Sequence, residues 1–158
     1  MESHLELINK FYESFAKKDA DGMISCYHDD LRFWDPAFKD LDSEDAKMMW
    51  RMLLERGQDI EIIHKNAWAE GDKGGVNWEA KYTFSKTGRN VHNKIQATFR
   101  FQDGLIIEHI DKFNFWKWSS MALGLPGVLL GWTPILQHKV TGQVHHFLKQ
   151  FKEKAAHP

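Results

Sequence analysis

From residue 59 onward the chain is cut into strand-length runs, 59–70, 75–85, 90–102 and 105–117, by three short breaks, "EGDKGG", "SKTGRN" and "QDG". Breaks this short and this rich in glycine, asparagine and aspartate have room only to reverse the chain, so the runs pair as consecutive hairpins. A four-strand antiparallel meander exposes one apolar face, and the residues ahead of it must supply the cover. They carry a different period. Leu5, Ile8, Phe11 and Phe15 recur at three- and four-residue steps and predict a helix over 4–17. "KKDADGMISCY" reads as a turn with Asp19 as N-cap, followed by a short helix that presents Met23, Cys26 and Tyr27 to the same core.

"LRFWDPAF" switches to strand period, with Leu31, Phe33 and Asp35 on one side and Pro36 ending the run by withholding a backbone donor. "DLDSEDAKMMWRMLLERG" then gives a third helix, capped at Asp42 or Ser43, striped by Ala46, Met49, Trp50 and Leu53, and stopped at Gly57. The expected architecture is α+β: a cone-shaped, curved antiparallel sheet wrapped around three N-terminal helices, followed by a C-terminal helical extension. We expect a single domain over 1–158, with its core in about 5–117.

In "FRFQDGLIIEHIDKFNFWKW" one alternate set reads Leu105, Ile107, His109, Asp111 and Phe113. A histidine and a carboxylate on an otherwise apolar row predict that His109 and Asp111 face the inside of the cone, about 6 to 7 Å apart along the strand. Asp35 would join them from across the mouth. Such a trio suits proton transfer, because desolvation and a neighbouring charge drive the pKa values of paired groups apart. It equally suits a structural reading, in which His109 bonds Asp111 or Asp35 and satisfies a partly solvated core. Trp78, Ala80, Tyr82 and Phe84 share one strand face, with Phe11, Phe15, Tyr27, Phe33, Trp50 and Phe99 opposite or below. Together these rings predict an apolar, planar or polycyclic small-molecule ligand if a cavity exists.

The stretch from Ser119 to Leu136 carries no charged side chain, and a polar amphipathic helix follows it. Gly124, Pro126, Gly127, Gly131 and Pro134 interrupt the stretch too often for a spanning helix of about 20 regular apolar residues. A lid over the pocket or a subunit interface is the expectation, with surface membrane contact the alternative. His138, His145 and His146 can share a face of the last helix at steps of seven and eight residues, but a metal site wants more ligands at closer spacing, and no phosphate loop, CxxC pair or nucleophile elbow occurs. No metal and no cofactor are expected. With 21 basic against 22 acidic residues, no whole-molecule field draws the chain to nucleic acid. The single cysteine, Cys26, and an N-terminus without signal-peptide regions predict a reducing, cytoplasmic setting.

The segments "FYESFAKKDADGMISCYHDDLRFWDPAF" and "FRFQDGLIIEHIDKFNFW", in this order around the third helix, resemble the nuclear transport factor 2-like superfamily in its SnoaL-like and ketosteroid-isomerase-like branch. The resemblance covers about residues 5–117. It implies the cone fold, and it implies no single chemistry, because isomerases, cyclases, dehydratases, epoxide hydrolases and binding modules share the scaffold. It places Asp35 at the general-base position of the isomerases and Asp111 at a SnoaL-like acid/base position. The isomerase oxyanion donors fall at Phe11 and Ala97, which cannot donate, and Tyr12 points about 100° away from Phe11 on an ideal helix. Classical steroid isomerisation is therefore not expected. The resemblance points instead to a small-molecule-binding protein, and a homodimer, that either carries out cofactor-free proton transfer through Asp35, His109 and Asp111 or binds without catalysis.

Overall fold

The computed structural model describes residues 3–157. Helix α1 (His4–Ala16) starts at a capping box in which Ser3 Oγ accepts from the Glu6 amide and the Glu6 carboxylate accepts from the Ser3 amide. Its buried stripe is Leu7, Ile8, Phe11, Tyr12 and Phe15, so Tyr12 joins the core while Leu5 lies exposed. Helix α2 (Ala20–Ile24) is capped by Asp19, as the turn motif predicts. It ends earlier than expected: Cys26 and Tyr27 leave the helix, and Tyr27 begins strand β1 (Tyr27–Trp34). Helix α3 (Ser43–Arg56) is capped by Asp42 and ends at Gly57, and it buries Met52 and Leu54 beside Ala46, Met49 and Trp50 while Leu53 is half-buried.

Strands β2 (Glu61–Glu70), β3 (Lys73–Phe84), β4 (Arg89–Gln102) and β5 (Leu105–Lys112) form the expected antiparallel meander. Strand β1 adds beside β5 in parallel, so the described residues make a mixed five-stranded sheet in the order β1-β5-β4-β3-β2. The β4–β5 reversal is a two-residue turn with both Asp103 (φ 55°) and Gly104 (φ 75°) left-handed, the geometry an Asp-Gly pair favours. Gly74 and Gly75 lie inside β3 and not in the preceding turn. A side chain at Gly74 would come within 2.9 Å of Ile8 and Phe101, so the bare backbone there is what lets α1 seat on the sheet.

A register step between the pairs Arg100↔Glu108 and Phe101↔Ile106 changes the phase of β5. The first half of the strand buries Ile106, whereas the second half buries His109 and Asp111; Leu105 and Ile107 are only half-buried. The strand also stops at Lys112, because Asn114 caps a new helix, α4 (Phe115–Leu123), by accepting from the Lys117 amide. Phe113 thus belongs to the connection and not to an extended run reaching 117.

Both sheet edges are occupied or broken. On β1, Phe33 exchanges two backbone hydrogen bonds with Leu41 (3.0 and 2.9 Å) from the loop after Asp35. On β2 the pairing is interrupted between Lys65 and Trp68, where Asn66 takes φ 59°. The outer set His92, Lys94, Gln96, Thr98 and Arg100 is exposed, as its polarity predicts.

The C-terminal extension comprises α4, α5 (Leu125–Leu130) and α6 (Pro134–Ala156). A Cβ at Gly127 would stand 2.0 Å from the Ser119 carbonyl oxygen, so glycine is required where α5 crosses α4. Helix α6 lies along α3, pinned by Lys152 to Asp45 (2.5 Å) and by Arg56 over the Phe147 ring (5.3 Å). No helix among the described residues is long and apolar enough to cross a membrane.

Candidate active site

The sheet, α3 and α6 enclose a cavity of about 700 Å³. Trp78, Ala80 and Tyr82 of β3 line its sheet side, Trp50 and Met52 its α3 side, and Leu136, Val140 and Val144 of α6 its outer wall. Two carboxylates reach it from different elements: Asp35, just past β1, and Asp111, near the end of β5.

Asp111 ends a chain of hydrogen bonds that runs through the core. Trp50 Nε1–H donates to the Tyr27 hydroxyl (2.8 Å), and that hydroxyl lies 2.8 Å from His109 Nδ1. His109 Nε2 lies 2.9 Å from Asp111 Oδ1, which also accepts from Trp78 Nε1–H (3.2 Å). Because indole only donates, the directions are consistent throughout when Tyr27 donates to Nδ1 and a neutral imidazole donates from Nε2 to the carboxylate. His109 is 0% exposed and Asp111 2%. Five rings cage the imidazole: Phe99 (4.7 Å between centroids), Phe33 (5.1 Å), Phe11 (5.5 Å), Tyr27 (6.0 Å) and Trp50 (6.1 Å). Burial pushes the Tyr27 phenol well above its ordinary pKa, which fixes it as a neutral donor.

Asp35 is held by its own turn, with Oδ1 accepting from the amides of Ala37 (2.9 Å) and Phe38 (2.6 Å). Burial raises its carboxyl to about 7; the amide of Phe38 opposes that shift, and the charge of Asp111 adds to it. The structure therefore brings Asp35 and Asp111 to one hollow, with His109 directly behind Asp111 and outside the lining. Of the aromatic residues expected at the ligand, Phe15, Trp50, Trp78, Tyr82 and Phe113 line the cavity. Phe11, Tyr27, Phe33 and Phe99 stand in the layer behind it, around His109.

Polar residues of the lining escaped the sequence reading, Asn93 among them. Asn93 is buried on the inner face of β4, and its amide makes no side-chain hydrogen bond among the described residues. Alternation with the exposed His92 and Lys94 was the available signal. The Tyr82 hydroxyl accepts from Trp118 Nε1–H of α4 (2.8 Å), a link no local pattern announces. Tyr12 is fully buried between His64 and Trp78, and its hydroxyl has no hydrogen-bond partner among the described residues. Cys26 is buried between α2 and β1 and not on a helix. Among the described residues no group of three or more His, Cys, Asp or Glu is placed to hold a metal ion.

Helices packed into a curved sheet around a mixed apolar and carboxylate-bearing hollow define the nuclear transport factor 2-like, ketosteroid-isomerase-like class. Residues 8–109 match the model of the SnoaL-like domain, and the chain belongs to that family. No curated protein matches the chain. Among solved structures it is similar to IdmH from Streptomyces antibioticus, a proposed polyketide cyclase (19% identity, TM-score 0.65, covering 78% of this chain and all of that one). It is also similar to AclR from Streptomyces galilaeus, a proposed hydroxylase (21%, 0.64, 84% and 95%). A third is TerC, co-crystallised with polyporic acid (17%, 0.64, 74% and 95%). Identities this low carry the fold alone.

Proposed function

We propose that the protein binds an apolar, planar organic molecule in the cavity and transfers protons on it without a cofactor, as in isomerisation, cyclisation or dehydration. One observation carries the reading: two carboxylates from separate elements face one largely apolar hollow, and one of them is lifted to about 7. At neutral pH Asp35 exists in both protonation states and serves as the acid. Asp111 serves as the base. Both N–H donors meet its Oδ1, which leaves its second oxygen for the substrate. His109 is a positioning residue: it fixes the carboxylate and, through Tyr27 and Trp50, ties it to the core.

The two oxyanion positions of the ketosteroid isomerases hold Phe11 and Ala97 here, so stabilisation of a developing enolate falls to Asn93 and the Tyr82 hydroxyl. Substrates of the steroid isomerases are not implied. The similar proteins described as a cyclase, a hydroxylase and a binder of polyporic acid support a planar, oxygenated ligand. The domain would be a single one, with α4 to α6 as its lid. A second reading, a non-catalytic binding module, draws on the complete internal satisfaction of His109.

Deuterium exchange at the carbon acid of 1-tetralone and 2-tetralone, followed by NMR, separates the two. Exchange accelerated by the wild type and slowed about a hundredfold by Asp111→Asn supports the enzyme. Ligand-induced tryptophan quenching with no exchange on either ketone leaves the binding module.

A further inference from the structure

The lid has two apolar faces, and only one is used inside the molecule. Its inner face gives Leu123, Pro126 and Leu136 to the cavity. Its outer face leaves Leu125, Leu129, Leu130, Trp132 and Ile135 in solvent, with Trp132 70% and Ile135 80% exposed. Isolated exposed apolar residues need no explanation, but this many within residues 125–135 form a patch that water does not favour. The patch is held rigidly. Trp116 Nε1–H donates to the Val128 carbonyl (3.0 Å), Arg89 Nε–H donates to the Met121 carbonyl (2.9 Å), and Thr87 donates to the Ala122 carbonyl (2.5 Å).

Charge selects the occupant. Between Asp111 and Glu153 the chain carries Lys112, Lys117, Lys139, Lys149 and Lys152 and no Asp or Glu. Lys117 follows Trp116 at the patch and Lys139 lies one turn past Ile135 on α6, both exposed, and Lys139 and Lys86 also border the cavity. A second copy meeting this surface face to face would bring the exposed Lys117 and Lys139 against their own counterparts. Anionic headgroups neutralise them, and the acyl region accepts the aliphatic side chains and Trp132. From this geometry we infer that the outer face of α5 and the start of α6 is a docking surface for an anionic lipid bilayer. Pro126 and Leu136 face the cavity from the elements that touch the membrane, so docking sets the mouth at the lipid surface, where apolar molecules partition. The docking stands on the patch; only its use for delivery rests on the ligand reading above.

Cosedimentation with vesicles of phosphatidylcholine containing about a quarter phosphatidylglycerol tests it. The full-length protein should pellet with these vesicles, much less with phosphatidylcholine alone, and less as salt rises. Leu129→Glu combined with Ile135→Glu should lower the partition coefficient at least about tenfold, with an unchanged melting curve showing that the variant folds. Absence of pelleting, or pelleting undiminished by the double substitution, overturns the inference. So does concentration-dependent self-association in the ultracentrifuge that the same substitutions abolish, since a second copy then covers the patch. No substrate enters the measurement, so its failure leaves the cavity chemistry standing, and failure of the tetralone exchange leaves the docking standing.

Discussion

His109 Nε2 lies 2.9 Å from Asp111 Oδ1, two residues along the same strand, and both side chains are sealed from bulk water while the carboxylate still borders the cavity. The imidazole is thereby committed to one partner on each nitrogen. Removing it exposes the commitment: His109→Ala leaves the Tyr27 hydroxyl and the Asp111 carboxylate short of a partner inside a ring of aromatic side chains. We expect a loss of about 2–4 kcal/mol in urea denaturation at pH 7. A loss below about 0.5 kcal/mol would mean the chain of donors is dispensable to the fold.

Asp35 gives stability a definite pH dependence. Its carboxyl titrates near 4 in the unfolded chain and about 7 in the fold, so the folded state holds the extra proton between those values. Stability contributed by this group is therefore present at low pH and is lost as pH rises from about 4 to about 7. Asp35→Asn keeps an oxygen for the Ala37 and Phe38 amides but carries no charge. Its unfolding free energy should exceed that of the wild type by up to about 4 kcal/mol at pH 8 and match it near pH 4. Equal offsets at both pH values would show that Asp35 is not the group lifted.

At Asn93 stability and ligand recognition should part company. The amide lines the cavity without a side-chain partner, and leucine of similar size would extend the apolar lining there. Asn93→Leu should raise the unfolding free energy by about 1 kcal/mol and weaken binding of an oxygenated planar ligand about tenfold. A variant that is both less stable and unchanged in affinity would place the amide in a purely structural role.

Filling the hollow tests whether ligands use it. Val144→Trp projects from α6 into a lining of Trp50, Tyr82 and Leu136. With about 700 Å³ available, the indole should fit at little cost in melting temperature while fluorescence-detected ligand binding disappears. Retained affinity would send the ligand elsewhere.

The crossing of α4 and α5 is the lid's weakest tolerance. Gly127→Ala places a methyl group 2.0 Å from the Ser119 carbonyl oxygen, so the two helices must separate. Limited proteolysis should then cut within residues 120–135 faster than in the wild type, with the sheet intact by circular dichroism. Unchanged cleavage would show that the hairpin tether through Thr87 and Arg89 holds the lid unaided.

The periodicity that made α1, α3 and the meander legible is local, and so those elements were readable from the chain alone. The inward placement of Asp111 and His109 was readable for the same reason. The parallel pairing of β1 with β5 was not, because no short turn records a partner about 80 residues away. Tyr27 illustrates the gap: the sequence reading puts it on the second helix, whereas it begins β1 and its position is fixed by Trp50 and His109, neither of them near in sequence. The phase change at Ile107 is likewise a property of a strand pair and has no signature in one strand. The cap at Asn114 goes unread because the apolar run around it continues the strand pattern.

The loop that returns Leu41 to Phe33 has a consequence for the protein in crowded solution. With that rim bridged at Phe33 and the opposite one broken between Lys65 and Trp68, neither border offers an uninterrupted row of open amides to a foreign strand. Cross-β stacking, the usual hazard of a five-stranded open sheet, is thus discouraged at both ends by backbone geometry, whatever the surface charge happens to be.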